Sequence, residues 1–139
     1  MSETDDLAAQ IGDDRSLLLL DDDEPFLRRL ARAMEKRGFI VEIAQTVAEA
    51  KQQVAARPPA YGVFDLRLQD GNGLDVVEAL RAVRPDARIV VLTGYGAIAS
   101  AVAAVKIGAT DYLSKPADAH DITAALLSLP DDKPAPPEN

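Results

Sequence analysis

Five short apolar runs recur along this chain, and each is followed by a stretch whose apolar residues repeat at helical spacing. That strict alternation constrains the fold more than any other feature. The runs Ser16 to Leu20, Phe39 to Ala44, Tyr61 to Asp65, Arg88 to Thr93 and Thr110 to Ser114 read as strands. They are continuously apolar for most of their length, as strands covered on both faces are. Helices are expected from about Glu24 to Arg37, from Thr46 to near Arg57, over about Gly73 to Val83, over about Ile98 to Ile107, and from Asp118 to about Leu129. The end signals agree. Pro25 falls where a first helical turn tolerates proline, and Gly38 and Gly108 stand where helices close. Thr46 and Glu49 have capping-box spacing, and Pro58-Pro59 and Pro85 stop the segments before them. Phe26, Leu27, Leu30 and Met34 form the apolar stripe of the first helix, and Leu74, Val77 and Leu80 that of the third. Strand-helix units in strict alternation imply an α/β fold, a doubly wound parallel sheet with helices on both faces, three layers in all.

The 139 residues suit one domain of this kind. Most of the apolar content is aliphatic or Ala, with three Phe, three Tyr and no Trp, which favours Leu/Val/Ile strands and Ala-rich helices over a β-sandwich. A net charge of −8 repels phosphate backbones, so direct nucleic-acid binding by this chain is not expected. With no cysteine, disulfides and thiolate metal sites are excluded. The longest apolar stretch, Ala97 to Val105, is too short to span a bilayer, and the start lacks the basic-then-apolar pattern of a signal peptide; a cytoplasmic protein without membrane attachment is expected. Residues 1–15 read as a disordered acidic arm, 16–129 as the folded domain, and 130–139, with four prolines among charges, as a stiff linker. A linker in that place leads one to expect a longer protein of which this is the first module.

In doubly wound sheets, sites form at the carboxyl ends of strands beside the point where strand order reverses. The first strand ends in Asp21-Asp22-Asp23 and the third in Asp65. If these strands are neighbours, two or three carboxylates share a pocket. At roughly 5 Å and an effective dielectric near 20, each like-charge pair opposes folding by about 3 kcal/mol. Raised carboxyl pKa values follow, and a divalent cation relieves the strain. All-oxygen ligands with no His or Cys nearby favour Mg²⁺, with Mn²⁺ or Ca²⁺ as substitutes. Helix capping alone accounts for one of the three aspartates. The fourth strand ends in Thr93 and the fifth delivers Lys115-Pro116, so a hydroxyl and an ammonium reach the same rim. Carboxylates, metal, hydroxyl and lysine together suit a phosphoryl group. Taken singly, Thr93 reads as a strand hydroxyl and Lys115 as a solvated loop charge. His120, the only histidine, reads as a surface residue in the first turn of the last helix.

The segments LLLLDDDEPF, VFDLRLQDGNGL, IVVLTGYGAIA and GATDYLSKP, in this order and spacing, resemble the receiver domains of bacterial two-component response regulators. The wording of GLDVVEALR and AVAAVKIGATDYLSKPAD is most similar to redox-responsive global regulators of the RegA/PrrA/ActR type. The resemblance covers about residues 16–129. It implies a flavodoxin-like, CheY-like (βα)5 fold with strand order 2-1-3-4-5. It implies Asp65 as phosphoacceptor, and Asp21, Asp22, Asp65 and the backbone carbonyl of Arg67 as Mg²⁺ ligands. Thr93 becomes the switch hydroxyl, Tyr112 the switch aromatic, and Lys115 the partner of the phosphoryl oxygen, with a cis Lys115-Pro116 bond. A sensor histidine kinase is the implied phosphodonor, docking near the first helix and the loop after the fifth strand. The implied output is transcriptional control, through phosphorylation-dependent self-association or release of a helix-turn-helix DNA-binding domain beyond the linker. Leu68-Gln69 replaces the Met-Pro that many receivers carry, and Arg67 and Tyr95 stand where the family tunes dephosphorylation.

Three other readings compete. A Mg²⁺-dependent aspartyl-phosphate hydrolase of the haloacid-dehalogenase type needs Asp-x-Asp, whereas Asp65 is followed by Leu66 and Arg67. Residues 94–99 match G-x-G-x-x-A, but in the fourth strand-helix unit, where a dinucleotide fingerprint does not belong. The third is an interaction module that is never phosphorylated.

Overall fold

In a computed structural model, which describes residues 14–68, 70–94 and 98–127, the alternation becomes a single parallel sheet. Its strands are β1 (Ser16–Leu20), β2 (Ile40–Ala44), β3 (Tyr61–Asp65), β4 (Arg88–Thr93) and β5 (Asp111–Ser114). The helices are α1 (Glu24–Lys36), α2 (Val47–Ala56), α3 (Gly73–Val83), α4 (Ile98–Lys106) and α5 (Ala119–Leu127). The strands lie in the order β2-β1-β3-β4-β5, all neighbours parallel.

Successive side chains of a strand point to opposite faces, and here both faces are covered. Leu18 and Leu20 of β1 join Phe64, Ile89 and Val91 in one core cluster, against Val47, Ala50 and Val54 of α2 and Val76, Val77 and Leu80 of α3. Leu17 and Leu19 join Val63, Val90 and Leu92 in the other, against Leu27, Leu30 and Met34 of α1 and Ile122 and Leu126 of α5. Four consecutive leucines are thus all buried, each worth about 1.5–3 kcal/mol of apolar burial.

The helix ends follow their local chemistry. Pro25 occupies the first turn of α1, and Asp23 caps it by accepting from the Phe26 N–H at 3.2 Å. Thr46 accepts from the Glu49 N–H at 3.1 Å, while the Glu49 carboxylate reaches back to the Gln45 N–H at 3.3 Å, one residue earlier than the standard capping box. A second cap on α2 comes from far along the chain, where Asp70 accepts from the Val47 and Ala48 N–H groups at 2.9 and 3.2 Å. Gly38 and Gly108 have φ of 103° and 120°, the left-handed region that spares glycine the Cβ clash.

Three details depart from the sequence expectation. Phe39 and Thr110 precede their strands instead of starting them. The loop after β3 contains a two-residue antiparallel ladder, Arg67–Leu68 with Gly71–Asn72. Val76, absent from the expected stripe of α3, is fully buried, while Leu74 is half-buried. The acidic arm before Asp14, the Pro-rich stretch, the end of the last helix beyond Leu127, Gln69 and residues 95–97 lie outside the described residues. No helix among those described is long and apolar enough to cross a membrane.

Candidate functional site: an acid pocket at the strand ends

Register builds the site. Leu20 of β1 pairs with Phe64 of β3, so the next residues, Asp21 and Asp65, emerge side by side. Thr93 of β4 pairs with Ser114 of β5, and the Lys115 N–H donates to the Thr93 carbonyl at 2.8 Å. Two acids, a hydroxyl and an ammonium therefore stand on one rim.

Carboxylate oxygens of Asp21, Asp22 and Asp65 lie within 4.8 Å of one another. Asp21 is 1% exposed and Asp65 7%, whereas Asp22 faces solvent. The three consecutive aspartates divide the work. Asp23 caps α1, Asp21 is buried and its Oδ1 accepts from the Asp23 N–H at 2.9 Å, and Asp22 completes the acid cluster from outside.

Lys115 Nζ lies 2.7 Å from Asp21 Oδ2 and 3.2 Å from Asp65 Oδ2. Only the Asp65 contact has hydrogen-bond angles; Asp21 Oδ2 is buried with no hydrogen bond, despite the short ion contact. Asp65 Oδ1 accepts from the Arg67 N–H at 3.2 Å.

Burial pushes the Asp65 carboxyl above its ordinary range and the Asp21 charge adds to this, outweighing Lys115 and the Arg67 amide. For Lys115, burial pulls its pKa down, but the Asp21 and Asp65 carboxylates prevail and raise it. A paired carboxylate normally shifts downward; Asp65 does the opposite because its burial, with the Asp21 charge beside it, outweighs the ammonium it shares.

This is an arrangement that favours a hard cation. Its donors are all oxygen, one is deeply buried with unused hydrogen-bonding capacity, and the negative charge exceeds what Lys115 balances. The triad fits Mg²⁺.

The remaining expected residues are placed as follows. Thr93 is buried, and its hydroxyl donates to the Leu113 carbonyl at 3.4 Å, turned toward β5. Tyr112 is 40% exposed. The Lys115-Pro116 bond is cis. Arg67 and His120 are exposed, and Leu68 packs against the core. Tyr95 lies outside the described residues.

Two neighbours of the pocket escaped the sequence reading. Gly73 opens α3 beneath Asp65, where a Cβ would stand 2.2 Å from the Asp65 carbonyl oxygen. Phe26, expected in the helix stripe, places its ring centroid 5.1 Å from Lys115 Nζ. Neither signal is local in sequence.

A parallel 2-1-3-4-5 sheet carrying three clustered acids and a lysine at its switch point defines a phosphoacceptor signalling domain rather than a conventional enzyme. Residues 17–127 match the family model of the response regulator receiver domain, and the chain belongs to that family, as the receiver of a two-component regulator. It is 73% identical to the photosynthetic apparatus regulatory protein RegA of Cereibacter sphaeroides over 135 residues, covering 97% of this chain and 73% of RegA. It is 64% identical to the acid tolerance regulatory protein ActR of Rhizobium meliloti, covering 93% of this chain and 66% of ActR. Among solved structures it is similar to a response regulator from Burkholderia pseudomallei with a phosphorylated aspartic acid and a calcium ion, at 45% identity and a TM-score of 0.77, covering 81% of this chain and 66% of that one.

Proposed function

We propose that Asp65 is the phosphoacceptor and that a sensor histidine kinase is its phosphodonor. The observation that carries this reading is that the Asp65 carboxylate clusters with those of Asp21 and Asp22 and shares the Lys115 ammonium with the buried Asp21. The Asp65 carboxylate attacks the phosphorus of a phosphohistidine, the P–N bond breaks, and the electron pair leaves on the imidazole nitrogen, which takes up a proton. Asp21, Asp22, Asp65 and the Arg67 carbonyl would hold Mg²⁺, which supplies charge neutralisation to the transferring group. Lys115 stays with the phosphoryl oxygens once Asp65 carries the acyl phosphate. Thr93, which now spends its hydroxyl on Leu113, turns to the phosphoryl group, and the exposed Tyr112 follows into the space vacated. The face made by α4, β5 and α5 then repacks as a two-state element.

The phosphorylated aspartate and calcium ion of the Burkholderia relative support both the acceptor and the cation site. RegA and ActR are named as regulatory proteins, which supports a regulatory output. The output proposed for this chain is gene control in the cytoplasm, by self-association or by release of a helix-turn-helix domain beyond a linker over residues 130–139. Treatment with acetyl phosphate and Mg²⁺ followed by intact-mass analysis tests the acceptor. The wild type gains one phosphoryl group, and Asp65→Ala gains none; stoichiometric phosphorylation of Asp65→Ala rejects the assignment. Light scattering with and without beryllofluoride reads the self-association.

A further inference from the structure

The Lys115 ammonium faces three groups. Two are the carboxylates of Asp21 and Asp65, at 2.7 and 3.2 Å, and the third is the Phe26 ring, 5.1 Å from nitrogen to centroid. That distance is inside the ~6 Å range over which a ring face attracts a cation. The backbone that carries the ring is fixed at the helix start, because the Phe26 N–H is the one Asp23 caps. It also packs against the core cluster beneath α1 and α5. Its neighbours Leu27 and Leu30 are buried by apolar contact alone, whereas Phe26 is only half-buried and spends a face on the lysine.

We infer that Phe26 is a positioning residue for Lys115, holding the ammonium over the acid pocket by cation–π attraction. This rests on the reading of Asp65 as phosphoacceptor. A lysine side chain is a flexible four-carbon stem carrying a strongly hydrated point charge. Two carboxylates anchor it while both are ionised. When Asp65 is phosphorylated, or when a cation draws on the same oxygens, that anchorage weakens, while the ring's pull is unchanged. Phe26 therefore keeps the ammonium at the pocket through the part of the cycle in which the phosphoryl oxygens need it. The ring also lines a groove of about 230 Å³ with Arg29, Leu30, Ala33 and the Ala117–Ala119 segment.

The test uses Phe26→Leu, Phe26→Tyr, a graded series of ring-fluorinated phenylalanines at position 26, and the same changes in a Lys115→Met background. Two quantities are read. The first is the NMR shift of the Lys115 Hε protons, which a ring face above them moves upfield whether or not Asp65 is phosphorylated. The second is the initial rate of phosphorylation by acetyl phosphate with Mg²⁺. The Hε shift is lost in Phe26→Leu and kept in Phe26→Tyr. The rate falls about 2- to 5-fold in Phe26→Leu, recovers in Phe26→Tyr, and declines stepwise with fluorination, which preserves shape and weakens the ring's negative face. In Lys115→Met, the Phe26 changes have no further effect on the rate. An Hε shift indifferent to Phe26→Leu, or a rate loss undiminished in Lys115→Met, overturns the inference. Should Phe26→Leu fold poorly, the fluorinated series carries the test. Phosphorylation retained in Asp65→Ala sinks the acceptor reading alone, because the Hε shift is independent of it.

Discussion

Replacing Gly73 by alanine sets two effects of opposite sign against each other. Gly73 is the first residue of α3, where alanine is the better helix former by up to about 1 kcal/mol. Against this, the new Cβ would lie 2.2 Å from the Asp65 carbonyl oxygen, 3.1 Å from the Asp65 carbonyl carbon and 3.2 Å from the Leu66 Cα. All three are backbone atoms, so no side chain can swing aside. Ordinary non-bonded contacts sit near 3.5 Å, and the backbone under Asp65 has to give by about 1 Å. The Gly73 N–H donates to the Leu66 carbonyl at 3.0 Å, so the helix start cannot retreat without breaking that bond. Overpacking of this kind destabilises by about 1–3 kcal/mol, a fall of roughly 3 to 12 °C in Tm for a domain of this size. The strain also lands on the acceptor itself, and a ~1 Å displacement of a reacting group slows its reaction by about 100-fold. Gly94→Ala is the control. It neighbours Thr93, but its Cβ would meet nothing within 4 Å among the described residues. Its stability change stays within about 0.5 kcal/mol. Thermal unfolding and acetyl-phosphate labelling of both variants decide the matter. A Gly73→Ala protein as stable as the wild type, and labelled as fast, refutes the close approach.

Two other perturbations follow from the charges. Because burial and then Asp21 raise the Asp65 pKa, the native state holds that proton more tightly than the unfolded chain does. The stability this group contributes is fully present below the ordinary value of 3.8 and is lost as pH rises through the folded-state pKa. In chelator-treated protein, urea midpoints against pH should show this descending limb, and Asp65→Asn should lack it; identical profiles would contradict the direction of the shift. Added Mg²⁺ should raise the wild-type Tm in proportion to the logarithm of its concentration once above Kd, by the equivalent of about 2.7 kcal/mol at a hundredfold excess over Kd. Asp21→Asn, which removes the buried ligand charge, should abolish the response, and an unaltered Mg²⁺ titration would place the cation elsewhere.

The elements most legible in the sequence were those set by local rules. The bounds of β1, β3, β4 and α3 follow from apolar runs and their stops, and the cap at Thr46 from residue type and spacing. Less legible were features in which distant segments meet. Asp70 caps α2 from 23 residues away, and no pattern near Val47 announces it. The same is true of Gly73, whose lack of a side chain matters only because Asp65 lies above it. Phe26 fits the helical stripe so well that its spacing gave no hint of the lysine it faces. The run of three aspartates showed that more than a cap was present, but not which residue did what; the division among Asp21, Asp22 and Asp23 came from the direction each side chain takes as the strand ends and the helix begins.

By itself, the sequence determined that strands and helices alternate, that both faces of the sheet are covered, and that acids, a hydroxyl and a lysine terminate particular strands. Those follow from periods of 2 and 3.6 residues and from backbone chemistry within a few residues. Only the tertiary structure decided how close those groups come, which oxygen Lys115 bonds, and where Thr93 spends its hydroxyl. Distances between strands depend on register and on packing of the helices above and below, and these are settled by contacts among residues tens of positions apart.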